Sequence, residues 1–121
     1  MLFRSTSIII PQSVFKIEEF AFNDCLSLEK ISIPKSITFL GGNVFNNCRS
    51  LASAEFENDV NLIEIPLYAF YKCESLKKII LLKSIHIIFS NAFHSCISLQ
   101  EVYIYDDIDI IDTSAFSDCF C

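Results

Sequence analysis

At 121 residues the chain has room for one ordinary domain, and its formal net charge of −6 argues against a nucleic-acid binder, which needs a basic face to meet phosphates. Hydrophobic residues make up 52% of the chain, yet no uninterrupted apolar run approaches the ~18 residues of a membrane helix. The richest stretch, residues 79–89, is broken by Lys83 and His86, so direct membrane insertion is not expected. The N-terminal residues show neither an apolar h-region nor a small-residue cleavage site, so no signal peptide is expected in this chain.

The first predicted element is a strand near residues 8–10, stopped by Pro11. Val14 and Ile17 then form a short extended return, and Ala21, Phe22 and Cys25 stand at spacings that predict a brief helical turn with all three facing inward. The next unit repeats the plan. After Leu28, a strand over 30–33 points Ile31 and Ile33 one way and Lys30 and Ser32 the other. Pro34 discourages its extension, Ile37 and Leu40 form the return, and Asn43 is positioned to cap the helical turn that carries Phe45 and Cys48. Strands near 53–56, 78–82 and 101–104 follow, with returns at Leu62/Ile65, Ile85/Ile88 and Ile108/Ile111. Their helical turns carry Phe70/Cys73, Phe93/Cys96 and Phe116/Cys119, with Asn91 and Ser114 as caps of the last two. Ser13, Ser36, Asn61, Ser84 and Asp107 share one turn column, where small polar side chains bond nearby backbone.

Phe22, Phe45, Phe70, Phe93 and Phe116 are spaced by 23, 25, 23 and 23 residues, and each is followed three later by a Cys. The two extra residues fall within the polar stretch 57–61, where a wider turn absorbs them. One such unit cannot bury its own apolar face, whereas stacked units can, so the pattern predicts a solenoid of about five 23-residue units with short parallel strands and short helical turns.

The registered phrase, best seen in residues 25–48 (CLSLEKISIPKSITFLGGNVFNNC), resembles the BspA-like leucine-rich repeat family over nearly the whole chain, from about Ser5 to Cys121. The resemblance implies a right-handed α/β solenoid, horseshoe-like or arc-shaped. It also implies a surface antigen or adhesin that binds extracellular-matrix or host-cell proteins, located at the cell surface or secreted. The whole chain, 1–121, reads as a single repeat domain, uncapped or a fragment, with self-association expected through its open ends. A structural or intracellular scaffold fragment of a longer repeat array is the alternative reading.

No catalytic residue, metal ligand or cofactor is assigned. Each repeat cysteine fits a buried apolar column, although neighbouring coils bring thiols close enough to keep disulfides or metal as an alternative. His86 and His94 fall in variable, solvent-side slots with no nucleophile placed beside them by any motif. Gly41-Gly42 makes no phosphate loop. Asp106, Asp107 and Asp109 lack the turn glycine and distal Glu of a calcium loop and read as a solvated acidic edge. The ligand-contact candidates are Ile80, Leu82, Tyr103 and Tyr105. They are outward positions of the last two strands, apolar and aromatic where the middle strands are polar.

Overall fold

The computed structural model of the chain describes residues 6–119, so Cys121, expected to label readily at a frayed end, lies outside the described residues. Two strand series alternate along it. Strands β1 (Ser7–Ile8), β3 (Lys30–Ile33), β5 (Ser53–Phe56), β7 (Lys78–Ile80) and β9 (Glu101–Tyr103) form one five-stranded sheet in that order. The returns β2 (Lys16–Ile17), β4 (Phe39–Leu40), β6 (Glu64–Ile65), β8 (Ile87–Ile88) and β10 (Ile110–Ile111) pair on the opposite flank, β2 with β4 and β6–β8–β10 as a second group. Every pairing is parallel. The expected strands over 30–33 and 53–56 form at those bounds. Three others are shorter than expected, because only a few residues per coil can stay extended before the chain must turn back.

Register follows the apolar columns. Ile31 pairs with Ala54 and Ile33 with Phe56, while Ile79 pairs with Val102. Their side chains point into one continuous core, together with Leu28, Leu51, Leu76 and Leu99. Phe45, Phe70 and Phe93 are fully buried. Phe22, Phe45, Phe70, Phe93 and Phe116 stack as a ladder, with ring centroids 5.5, 5.2, 5.1 and 5.1 Å apart. That step is close to the ~4.8 Å between paired strands, so the rings climb with the backbone in near-parallel contact.

The short helical turns are not present: among the described residues there is no helix. The phrase around each Phe is instead a run of tight turns. Alternate N–H groups close four-residue turns, as in Ala21 to Glu18, Asn23 to Phe20 and Cys25 to Phe22. The intervening ones, those of Phe20, Phe22 and Asp24, donate to Gly42, Val44 and Asn46 of the next coil. Later coils repeat this, with Phe45 donating to Ala69, Phe70 to Ala92 and Phe93 to Ala115. A helix would use those N–H groups within itself, and its diameter of about 10 Å cannot stack at a ~4.8 Å rise.

Turning this tightly puts residues two before and two after the Phe into the left-handed region. Phe20, Asn43, Tyr68 and Asn91 precede, with φ of 60°, 59°, 56° and 56°. Asp24, Asn47, Lys72, Ser95 and Asp118 follow, with φ of 61°, 62°, 59°, 62° and 59°. Asn and Asp tolerate this region better than other side chains, which is why Asn43 and Asn91 stand there rather than as helix caps. Ser114, the third expected cap, keeps a bonding role: its hydroxyl accepts from the Asn91 N–H of the preceding coil at 3.1 Å and donates to Asp112 at 2.6 Å. The turn-column serines also reach back one coil, Ser84 Oγ donating to the Val60 carbonyl at 3.1 Å and Ser36 Oγ to that of Val14.

Two substitutions separate the ladder from the turn geometry. Phe70→Ala opens a cavity at mid-ladder and is expected to cost about 3–5 kcal/mol. Phe20→Asn relieves left-handed strain at a half-exposed site and is expected to raise stability by about 1 kcal/mol. Urea unfolding followed by circular dichroism measures both; equal effects would show that ring stacking does not carry the core.

Candidate interaction surface

The outward face of the five-stranded sheet is built from residues between the core positions. Lys30, Ser53, Lys78 and Glu101 pair in one row across it, giving the solvated polar face expected of a one-sided sheet. The next row changes character at its far end, where Ile80 pairs with Tyr103. Ile80, Tyr103 and Tyr105 are 41%, 51% and 45% exposed. Tyr103 is held by its hydroxyl, which donates to Glu101 Oε2 at 2.7 Å; that bond and the carboxylate charge raise its pKa. Lys83 Nζ lies 6.0 Å from the centre of the Tyr105 ring.

Leu82 is placed differently from the other three candidates. β7 ends at Ile80, so the alternation does not run on to Leu82, which is partly buried against the core. It does share a turn position with Tyr105, since their carbonyls accept the N–H groups of Ile85 and Ile108. The four residues therefore occupy adjacent coils, with three of them open to solvent.

The two-residue insertion shapes the ground beside them. β3 and β5 hold four paired positions, but β5 and β7 pair only at Ser53 and Lys78. Beyond that pair a groove of about 590 Å³ opens, with Glu55 and Glu57 on one side, Lys77 and Lys78 on the other, and Ile80 and Leu82 in its lining. Val60 is buried and anchors the wider turn. Glu57 braces it across earlier coils, accepting from the Lys35 N–H at 3.1 Å and from Gln12 Nε2 at 3.2 Å. Periodicity located the insertion, but nothing in the spacing said that β5 and β7 would share a single paired position.

The remaining reactive groups have protein partners. The Cys48, Cys73, Cys96 and Cys119 thiols donate to the carbonyls of Phe22, Phe45, Phe70 and Phe93, at 3.0, 3.2, 3.1 and 3.0 Å. Each thiol thus satisfies the Phe of the coil before, and none of the five repeat cysteines is in a disulfide among the described residues. Cys48, Cys73 and Cys96 are buried, whereas Cys25 and Cys119 are half-buried. Burial pushes Cys48 up to about 12 and Cys73 well above the ordinary thiol value. His94 Nδ1 lies 2.8 Å from Ser95 Oγ and its Nε2 3.5 Å from Asp118, a trio that sequence reasoning missed. Ser95 and Asp118 are there because their column takes the left-handed turn. The trio ties neighbouring coils together, with Tyr71 against the His94 ring at 5.2 Å. In the acidic segment, His86 faces Asp109 at 3.4 Å, and Asp112 accepts from the hydroxyl and N–H of Ser114, which lowers its pKa.

A parallel-strand coil with an inward Leu column and a Phe–Cys turn ladder is a leucine-rich repeat solenoid. The chain belongs to the BspA-type leucine-rich repeat family, whose model matches residues 3–121 in six copies. The coordinates are similar to those of a leucine rich cell surface protein from Faecalibacterium prausnitzii A2-165, at 33% identity and a TM-score of 0.92 over 97% of this chain and 30% of that one. They are also similar to a leucine-rich repeat protein of T. pallidum, at 31% identity and a TM-score of 0.89 over 96% of this chain and 56% of that one. A third similar structure, a leucine-rich repeat protein from Bacteroides ovatus ATCC 8483, gives 27% identity and a TM-score of 0.73 over 94% of this chain and 35% of that one. The chain therefore spans roughly a third to a half of the length of these relatives. No curated protein matches it. Repeats of this family serve generally as scaffolds for protein–protein contact, and no enzymatic family is indicated. Among the described residues, no helix is long and apolar enough to cross a membrane.

The thiol column gives an alkaline signature. An unfolded Cys48 ionises near 9.0, while the folded one keeps its proton up to about 12. Between those values the folded state binds more protons, so the stability present below pH 9.0 falls as pH rises through 12. Urea midpoints measured across this range are expected to decline, and maleimide labelling of Cys48 and Cys73 is expected to be slow in the native state and fast once unfolded. Rapid native labelling of both would contradict the ladder.

Proposed function

We propose that this chain is a non-catalytic protein-binding module, a surface-antigen or adhesin-like repeat that engages extracellular-matrix or host-cell proteins from the cell surface or after secretion. Residues 1–121 act in it as one repeat domain, with the coil in the right-handed sense usual for parallel strand crossovers. The observation that carries the reading is the pairing of exposed Ile80 with exposed Tyr103 beside the groove opened by the insertion. Contiguous apolar and aromatic surface on an otherwise polar sheet is what a protein partner covers, and Tyr is favoured where interface energy concentrates. Ile80, Leu82, Tyr103 and Tyr105 are the ligand contacts, with the charged groove walls setting orientation.

A second reading, a scaffold segment within a longer repeat array, is favoured by one observation: each similar structure is considerably longer than this chain. In that case the end coils meet further coils or a second copy rather than a ligand.

The test is capture of matrix and cell-surface proteins by the immobilised chain. The double change Tyr103→Ser with Tyr105→Ser is expected to weaken capture at least about thirtyfold, as the loss of a hot spot of ~2 kcal/mol does, with the circular dichroism spectrum unchanged. Wild-type capture by the folded double variant would move the ligand face elsewhere on the solenoid.

A further inference from the structure

The chain has two glycines, Gly41 and Gly42, side by side on the outer flank after β4. They differ in what fixes them. A Cβ on Gly41 would lie 2.2 Å from the Glu19 nitrogen and 2.6 Å from the Glu18 carbonyl carbon, so the close pass of the preceding coil forbids any side chain there. A Cβ on Gly42 would have Leu67 as its nearest neighbour, at 3.3 Å from Cδ1 and 3.5 Å from the carbonyl oxygen. Neither glycine has a positive φ, so the backbone does not demand glycine at Gly42. Its counterparts in the other coils are Glu19, Leu67, Ser90 and Thr113.

The missing side chain leaves a notch of about 270 Å³ between the second and third coils. Phe39, Leu67 and Phe89, one from each of three successive coils, converge on it, and all three are exposed. Glu19 and Glu64 also line it, and neither is in an ion pair among the described residues. The nearby cation Lys16 is committed to Glu18 at 3.3 Å and lies 5.3 Å from the centre of the Phe39 ring. Single exposed apolar side chains are ordinary. An aromatic-walled notch lined by two unneutralised carboxylates is a more particular combination, apolar at its base and attractive to cations.

We infer that this notch is a second docking site, separate from the strand face, for a partner-protein segment that places a Leu-like side chain in the notch and an adjacent Arg or Lys between Glu19 and Glu64. Charge complementarity selects that partner: the carboxylates repel acidic segments and give a neutral apolar one no orientation. Its apolar walls, the exposed Phe39, Leu67 and Phe89, offer contact to one apolar side chain of a segment lying across the coils. The strand-face groove sets Lys77 and Lys78 against Glu55 and Glu57, whereas among the described residues no Lys or Arg lines the notch, so the two surfaces recognise different chemistry.

The test uses the full chain labelled with ¹⁵N and three end-blocked tetrapeptides, Gly-Leu-Arg-Gly, Gly-Leu-Glu-Gly and Gly-Ser-Arg-Gly. The first is expected to shift the Gly42, Leu67 and Ser90 amide resonances in a saturable, salt-sensitive way. The other two are expected to bind at least about fivefold more weakly, through loss of the rim charge pairs or of the apolar contact. Gly42→Leu fills the notch and is expected to abolish the shifts. Glu19→Gln with Glu64→Gln leaves the backbone untouched and is expected to remove the preference for Arg over Glu even if Gly42→Leu folds poorly. Equal binding of the three peptides, shifts centred on Ile80 and Tyr103, or shifts that follow protein concentration without peptide would each overturn the proposal.

Discussion

Every column in this molecule answers to one distance, the rise of about 4.8 Å between successive parallel strands. Hydrogen bonding on both flanks of the coil holds that rise, so any side chain pointing inward meets its counterpart one unit later at nearly the same spacing. Planar rings stacked at 5.1–5.5 Å fit it well, and so do branched aliphatic side chains in the strand columns. A bulkier element does not. The Phe phrase is therefore a chain of left-handed turns, although its residue spacing suits a helix equally well. Asn and Asp at many of the left-handed positions lower the conformational cost of turning so tightly. Where Phe20, Tyr68 or Lys72 stands instead, the coil holds strain that its neighbours in the stack sustain.

The cysteines belong to the same constraint. A thiol is small enough for the ladder and carries a weak donor that a purely aliphatic side chain would lack. Four of them direct that donor to the carbonyl of the Phe in the coil before. These groups join each turn to the previous one. Burial withdraws Cys48 and Cys73 from solution chemistry and raises their pKa values. Residues that read from sequence alone as members of an apolar column become, in the stack, a hydrogen-bonded seam between coils.

Surface hollows arise where the repeat is broken. Beside the insertion at 57–61, β5 and β7 share one paired position and a charged groove lies next to Ile80. Gly42 removes a side chain from one outer position and leaves a notch faced by aromatic rings. A perfect repeat would present a monotonous surface to any partner. Here two departures of one or two residues give the rod distinct hollows on different faces, at little cost to a core whose columns continue past them.

Residue spacing makes legible the coil length, the positions of two of the five main strands to the residue, the inward columns, the Phe ladder and the site of the insertion. All of these follow from periodicity, because an in-register stack must put the same kind of residue in the same place. It also marked Ile80 and Tyr103 as outward, since alternation along a strand is local; Tyr105 is exposed too, although it lies beyond the end of β9. What periodicity leaves degenerate is resolved by the stacking of the coils. A spacing of three residues between Phe and Cys fits a helix or a pair of turns, and the narrow rise between coils chose the turns. Leu82 was outward by alternation but lies beyond the end of β7, where alternation no longer applies. The thiol acceptors, the groove and the notch depend on residues more than twenty positions apart coming into contact, and that is set by how one coil sits on the next.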